Sequence, residues 1–95
     1  MKVTFSARHF EPTKKLQDFA TEEISKLEKY LTGRYSSEIV LQENENLKAV
    51  DIRLNALGRM FQASVEENDF YKIIPKAVDK LEKQLKVHKS KVQNR

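Results

Sequence analysis

The sequence predicts an α+β fold in the order β-α-β-β-β-α, with two helices packed on one face of a four-stranded sheet. Three observations lead there. The stretches Met1–Arg8, Ala49–Leu57 and Met60–Glu67 alternate apolar and polar residues with period two. Leu16, Ala20, Ile24, Leu27 and Leu31 are spaced 4, 4, 3 and 4, which is one face of a helix. A second and longer helical stripe runs from Phe70 to Val92.

The first strand sets Met1, Val3, Phe5 and Ala7 against Lys2, Thr4, Ser6 and Arg8, the pattern of a half-buried strand. After Glu11-Pro12, Thr13 is placed to cap a helix that reaches about Leu31, and Thr32-Gly33 supplies the stop. The acidic residues of that helix, Asp18, Glu22, Glu23 and Glu28, lie mostly off its apolar stripe. They read as i,i+4 ion pairs such as Glu22–Lys26 rather than as an acid/base dyad. A strand over Glu38–Asn44 follows, then a polar break at Glu45-Asn46. In the next strand Val50, Ile52, Leu54 and Ala56 share a face, and Gly58 with Arg59 turns the chain into a hairpin. Phe61, Ala63 and Val65 continue that face, so the sheet is covered on one side only. If the strands flanking the first helix are parallel neighbours, a right-handed crossover joins them. Asn68-Asp69 caps the second helix, which extends to about Val92. Pro75 lacks the N–H that a helix interior uses, and a kink or a loose first turn is expected there.

At 95 residues the chain is expected to form one domain over 1–95. It has no cysteine, which excludes disulfides, thiolate nucleophiles and thiolate metal sites. Apolar runs such as Ile39–Leu41 are far too short to span a membrane, and MKVTFSARHF alternates where a secretory signal would be continuously apolar. A soluble cytoplasmic protein is expected. With two glycines there is no GxxxxGK or GxGxxG phosphate loop. His9 and His88 have no partner at metal-ligand spacing, and no serine sits in a nucleophile elbow. Catalytic residues, metals and cofactors are therefore not expected, and binding is the better reading.

Charge says what kind of binding. The chain carries 18 basic and 14 acidic residues, a net +4. Residues 1–68 hold 10 basic and 11 acidic side chains, whereas residues 69–95 hold 8 and 3. One sign gathered in the last quarter suits a polyanionic partner, although a solvated helix has the same composition. At about 100° per residue, Phe70, Ile74, Ala77, Val78, Leu81, Leu85, His88 and Val92 fall in an arc about 100° wide. Lys72, Lys76, Lys80 and Lys83 lie roughly opposite, flanked toward the C-terminus by Lys86, Lys89 and Lys91. Lys72–Lys76 and Lys76–Lys80 are like-charge i,i+4 pairs from which folding gains nothing. A ligand with spaced negative charge would convert that repulsion into attraction. His88 either packs at the end of the sheet or meets a base or phosphate. Phe19, Lys26 and Tyr30 run along one edge of the first helix, and either contact RNA or pack as satellites of the core.

The chain as a whole resembles the short-form ribosome hibernation-promoting factor, or ribosome-associated inhibitor, family. The residues that carry the resemblance are MKVTFSARHFEPT, ISKLEKYL and above all NDFYKIIPKAVDKLEKQLKVHKSKV. In the last stretch Asp69, Tyr71, Ile74, Asp79-Lys80-Leu81, Gln84-Leu85 and His88-Lys89 match the family's DxYxxI…DKLxxQLxxHK pattern. The resemblance implies a double-stranded-RNA-binding-domain-like fold that acts as one ribosome-binding domain with a basic C-terminal tail from about residue 86. It implies binding in the mRNA/tRNA channel of the small ribosomal subunit, against 16S rRNA and neighbouring ribosomal proteins, and a steric block of translation in stationary phase or stress. A monomer with no DNA or membrane partner is expected. The RNA-binding set is Lys26, Lys29, Lys76, Lys80, Lys83, Lys86, His88, Lys89 and Lys91. Glu23 and Val87 stand at positions that are commonly basic in the family. Glu23 would face phosphate with the wrong sign unless Lys26, three residues on, pairs with it, and Lys86 is the neighbour available to stand in for Val87. Two other functions fit the same residues: a general double-stranded-RNA-binding module, and a protein-interaction module that uses the open sheet face or its edge.

Overall fold

A computed structural model describes residues 2–93, with side chains described through Lys89. The elements are β1 (Lys2–Arg8), α1 (Lys14–Ser25), a 3₁₀ segment (Lys26–Tyr30), β2 (Ser36–Asn44), β3 (Leu47–Ala56), β4 (Arg59–Glu67) and α2 (Phe70–Gln93). The strands lie in the order β1-β2-β3-β4. β1 runs parallel to β2 and the other neighbours are antiparallel, so α1 is the crossover of a β-α-β unit. The expected α+β order is therefore observed.

Strand alternation decides which face is covered. In β3, Val50, Ile52, Leu54 and Ala56 are buried, and in β4 so are Phe61 and Ala63. β1 alternates in the same phase, but Val3, Phe5 and Ala7 are only half-buried, as befits an edge strand. Both helices cover that single face. All five residues of the α1 stripe are buried, as are Phe70, Ile74, Ala77, Val78, Leu81 and Leu85 of α2. Ile73 is fully buried as well, just outside the expected arc, because α2 packs on α1 and β4 together and so buries a wider stripe. Val92 and Met1 lie outside the described side chains.

Local chemistry fixes the helix ends. Thr13 Oγ1 accepts from the Leu16 N–H at 3.1 Å, and Asp69 Oδ1 accepts from the Tyr71 N–H at 2.9 Å. α2 is continuous across Pro75, so the first turn is not loose. Proline removes the donor that the Tyr71 carbonyl would use, and Tyr71 is exposed, where water can supply one. α1 departs from expectation at its end. It stops at Ser25, and the last five residues tighten into 3₁₀ geometry. Thr21 Oγ1 and Ser25 Oγ donate to the carbonyls of Gln17 (2.9 Å) and Glu22 (2.7 Å), a back-bonding that bends helices. The β3–β4 turn is shifted by one residue from the expected pair. Leu57 and Gly58 occupy it with φ of 55° and 76°, and Arg59 already begins β4.

Candidate nucleic-acid interface

The 3₁₀ segment carries Lys26 and Lys29, the two expected RNA-binding residues of the first helix. Its three residues per turn eclipse i and i+3, so Lys26 stands over Lys29 while Leu27 and Tyr30 turn inward together. Leu27 is fully buried. Tyr30 Oη donates to Glu82 Oε2 of α2 at 3.0 Å. One end of α1 packs against α2 through Phe19 and Tyr71, with ring centroids 4.9 Å apart. Phe19–Tyr71 and Tyr30–Glu82 share one sequence offset, so the two helices run side by side in the same direction. Of the two readings of the Phe19–Tyr30 edge, packing is therefore the observed one.

Glu82 organises the seam between the helices. Lys29 Nζ lies 4.0 Å and Lys86 Nζ 3.8 Å from its carboxylate, and Lys89 Nζ sits 5.8 Å above the Tyr30 ring. One half-buried carboxylate thus draws two ammonium groups together from different elements, with Lys89 beside them. Lys26 pairs with Glu23 at 2.6 Å rather than with Glu22, because the tightened turn favours the i,i+3 partner. The hydrogen bond that Lys26 donates to Glu23, and then the charge of that carboxylate, hold the Lys26 ammonium above the ordinary lysine pKa. Glu23 therefore does not face a ligand as a bare negative charge, but it occupies Lys26. Replacing Glu23 with glutamine is expected to free that cation and to tighten binding to an RNA probe about two- to fivefold, read by titration across a concentration series.

The opposite flank of α2 lies over edge strand β4. Lys76 pairs with Glu67, so this member of the lysine row is neutralised within the fold. Lys80 Nζ reaches the Ser64 carbonyl at 3.4 Å, and Gln84 Nε2 donates to the Gln62 carbonyl at 2.8 Å. Two carbonyls of the edge are thus already occupied, which disfavours strand addition there. Among the described residues no carboxylate lies within ion-pair distance of Lys72, Lys80, Lys83 or Lys89. His88 stands at the end of the sheet, its ring edge-on to Phe61 at 5.8 Å and its Nδ1 3.2 Å from Arg59 Nη1. Lys91 lies on the last turn of α2, and its side chain is outside the described residues. Lys86 leans toward Glu82 and Val87 toward β4, so Lys86 does not take Val87's place.

The open sheet face has a different character. Asp51 accepts from Gln62 (2.9 Å) and Ser64 (2.7 Å) and lies 3.5 Å from Arg53, which also reaches Glu38 at 3.9 Å. Charges there are mixed and mutually satisfied, a poor match for a polyanion. Among the described residues no three His, Cys, Asp or Glu side chains are grouped to hold a metal, and no helix is long and apolar enough to cross a membrane.

Residues 3–93 match the model of the family described as Sigma 54 modulation protein / S30EA ribosomal protein. The chain belongs to that family. Among its relatives, the ribosome hibernation promoting factor of Klebsiella oxytoca is 33% identical, over 97% of this chain and 97% of that protein. The protein of the same name from Pseudomonas putida is 30% identical over 99% of this chain and 92% of its own length. Among solved structures, the N-terminal domain of Thermus thermophilus Protein Y superposes with a TM-score of 0.87 at 26% identity, over 93% of this chain and 99% of that one. A ribosomal subunit interface protein from Coxiella burnetii, 20% identical, shares the fold with a TM-score of 0.83 over 95% of this chain and 99% of its own. The family membership agrees with the resemblance carried by the α2 motif.

Sequence reasoning missed Glu82 and Tyr30 as the pair that holds the seam, and Arg59 as a partner of His88. For Arg59 the signal was present: a basic residue directly after the turn glycine must stand at the hairpin tip.

Proposed function

We propose that this chain is a ribosome hibernation factor that docks its lysine-bearing helices on rRNA of the small subunit, in the channel that mRNA and tRNA use. The observation that carries the reading is the cationic surface built by the 3₁₀ segment and the C-terminal half of α2. There Lys29, Lys86 and Lys89 converge on one seam, and Lys80 and Lys83 add charge with no carboxylate within ion-pair distance among the described residues. Relatives bearing the hibernation name span the chain end to end, which supports the ribosome as partner. The mechanism needs no chemistry. Ammonium groups replace counterions along rRNA phosphates and fix the domain, whose bulk then excludes mRNA and tRNA. Lys26, Lys29, Lys76, Lys80, Lys83, Lys86, His88, Lys89 and Lys91 make up the proposed contact set. Lys26, Lys29, Lys76 and Lys86 must each exchange an internal carboxylate for a phosphate. Silencing of translation in stationary phase or stress follows from occupancy of the channel.

The test is sedimentation of the protein with purified small subunits, bare or preloaded with tRNA and mRNA. Competition is expected: the bound fraction should fall as tRNA fills its sites. Co-binding with tRNA would reject the channel. Equal affinity for naked duplex RNA would favour a general double-stranded-RNA binder.

A further inference from the structure

The β3–β4 hairpin tip carries cations that the helix-based reading leaves unused. Two shallow grooves meet there and share Arg59 and Met60. One crosses the end of the sheet past Lys2, Arg34 and Tyr35. The other runs between β4 and the last turns of α2, past Phe61, Lys83, Val87 and His88. Among the described residues the joined lining contains Lys2, Arg34, Arg59 and Lys83 and no carboxylate. Other cation-bearing grooves are balanced. On the open sheet face Arg8 and Arg53 face Glu38, Asp51 and Glu66, and beside α1 Lys14 and Lys15 face Asp18 and Glu22. Unopposed positive charge of this kind selects an anionic occupant.

The groove also offers an apolar floor. Met60 and Val87 are 51% and 54% exposed and line it together. Arg59 is held at its rim, and among the described residues no carboxylate lies within ion-pair distance of it. Its guanidinium lies 5.4 Å from the Phe61 ring centroid, and Nη1 is 3.2 Å from His88 Nδ1. The arginine is thereby oriented while its charge stays available to a ligand. An apolar floor flanked by cations, with Arg59 held in place, matches a flat base carrying its own phosphates. Duplex RNA hides its bases, so the complementary ligand is an unpaired nucleotide.

We propose that the hairpin-tip groove is a second RNA subsite that takes one unpaired nucleotide, with the base against Met60 and Val87 and the phosphates on Arg59, Arg34 and Lys83. The proposal deepens the rRNA-binding reading. It also explains why an apolar Val87 at a commonly basic position is compatible with RNA contact.

The test is an NMR titration of the full chain, following the Met60 and Val87 methyl groups. The probes are a single-stranded five-nucleotide oligoadenylate, inorganic polyphosphate of similar charge, and an acidic peptide. Oligoadenylate is expected to shift both sets of methyls, whereas polyphosphate should move only amides near the arginines and Lys83. Met60→Ser with Val87→Ser, both surface changes, should weaken oligoadenylate about tenfold and leave polyphosphate unchanged. Unmoved methyls at saturation, equal methyl shifts with polyphosphate, or stronger shifts with the acidic peptide would each overturn the proposal. No ribosome enters this titration, so failure to bind small subunits would remove the hibernation reading without deciding this one.

Discussion

Replacing Lys80 and Lys83 together with glutamate is expected to abolish co-sedimentation with small subunits while leaving the thermal midpoint nearly unchanged. Both side chains are exposed and neither pairs with a carboxylate among the described residues. Lys80 makes one long contact with the Ser64 carbonyl, and exposed contacts of this kind contribute little to folding. A carboxylate in place of the Lys80 ammonium would also sit one turn from Lys76, relieving a like-charge pair. On the binding side each lost charge-assisted contact is worth about 1.5–3 kcal/mol. Two such losses come to about 3–6 kcal/mol, or about 10²- to 10⁴-fold in affinity, before repulsion from the new carboxylates is added. A double variant that still pellets with the subunit would make these lysines surface decoration.

Salt should act almost as strongly. With about six to eight phosphate contacts, log K against log salt is expected to fall with a slope of about −5 to −7, so affinity drops about 10³- to 10⁴-fold between 50 and 200 mM salt. The internal ion pairs argue for the shallow end of that range. Lys26, Lys29, Lys76 and Lys86 each lie within 4.0 Å of a carboxylate in the free protein. They carry fewer counterions to release than Lys80, Lys83 and Lys89 do. A measured affinity that barely changes over this interval would falsify phosphate docking.

Much of the fold could be read from periodicity, because each strand and helix must turn one apolar face to a single core. Val50, Ile52, Leu54 and Ala56 obey the period of two, and Leu16 through Leu31 the helical spacing, and both sets are buried. Local capping was legible for the same reason, since Thr13 and Asp69 act on N–H groups two or three residues away. What escaped the sequence depends on distances between elements. The 3₁₀ ending of α1 hangs on the Thr21 and Ser25 hydroxyls turning back to the chain, and of the two partners open to Lys26 it selects Glu23 over Glu22. Lys86–Glu82 is an ordinary i,i+4 pair, but Lys29 joins the same carboxylate from more than fifty positions away, for which no spacing rule exists. Charge count marked α2 as the candidate polyanion-binding helix. It could not say that Lys76 is spent on Glu67 or that Arg59 completes the sheet end.

The interface itself is most directly measured by lysine acetylation and mass spectrometry, with and without small subunits. Lys29, Lys80, Lys83 and Lys89 should lose reactivity in the complex, while Lys14 and Lys15, at the far end of α1, should react as they do in the free protein. Undiminished acetylation of the four, with protection at Lys14 and Lys15 instead, would mean that the ribosome is held by a different surface.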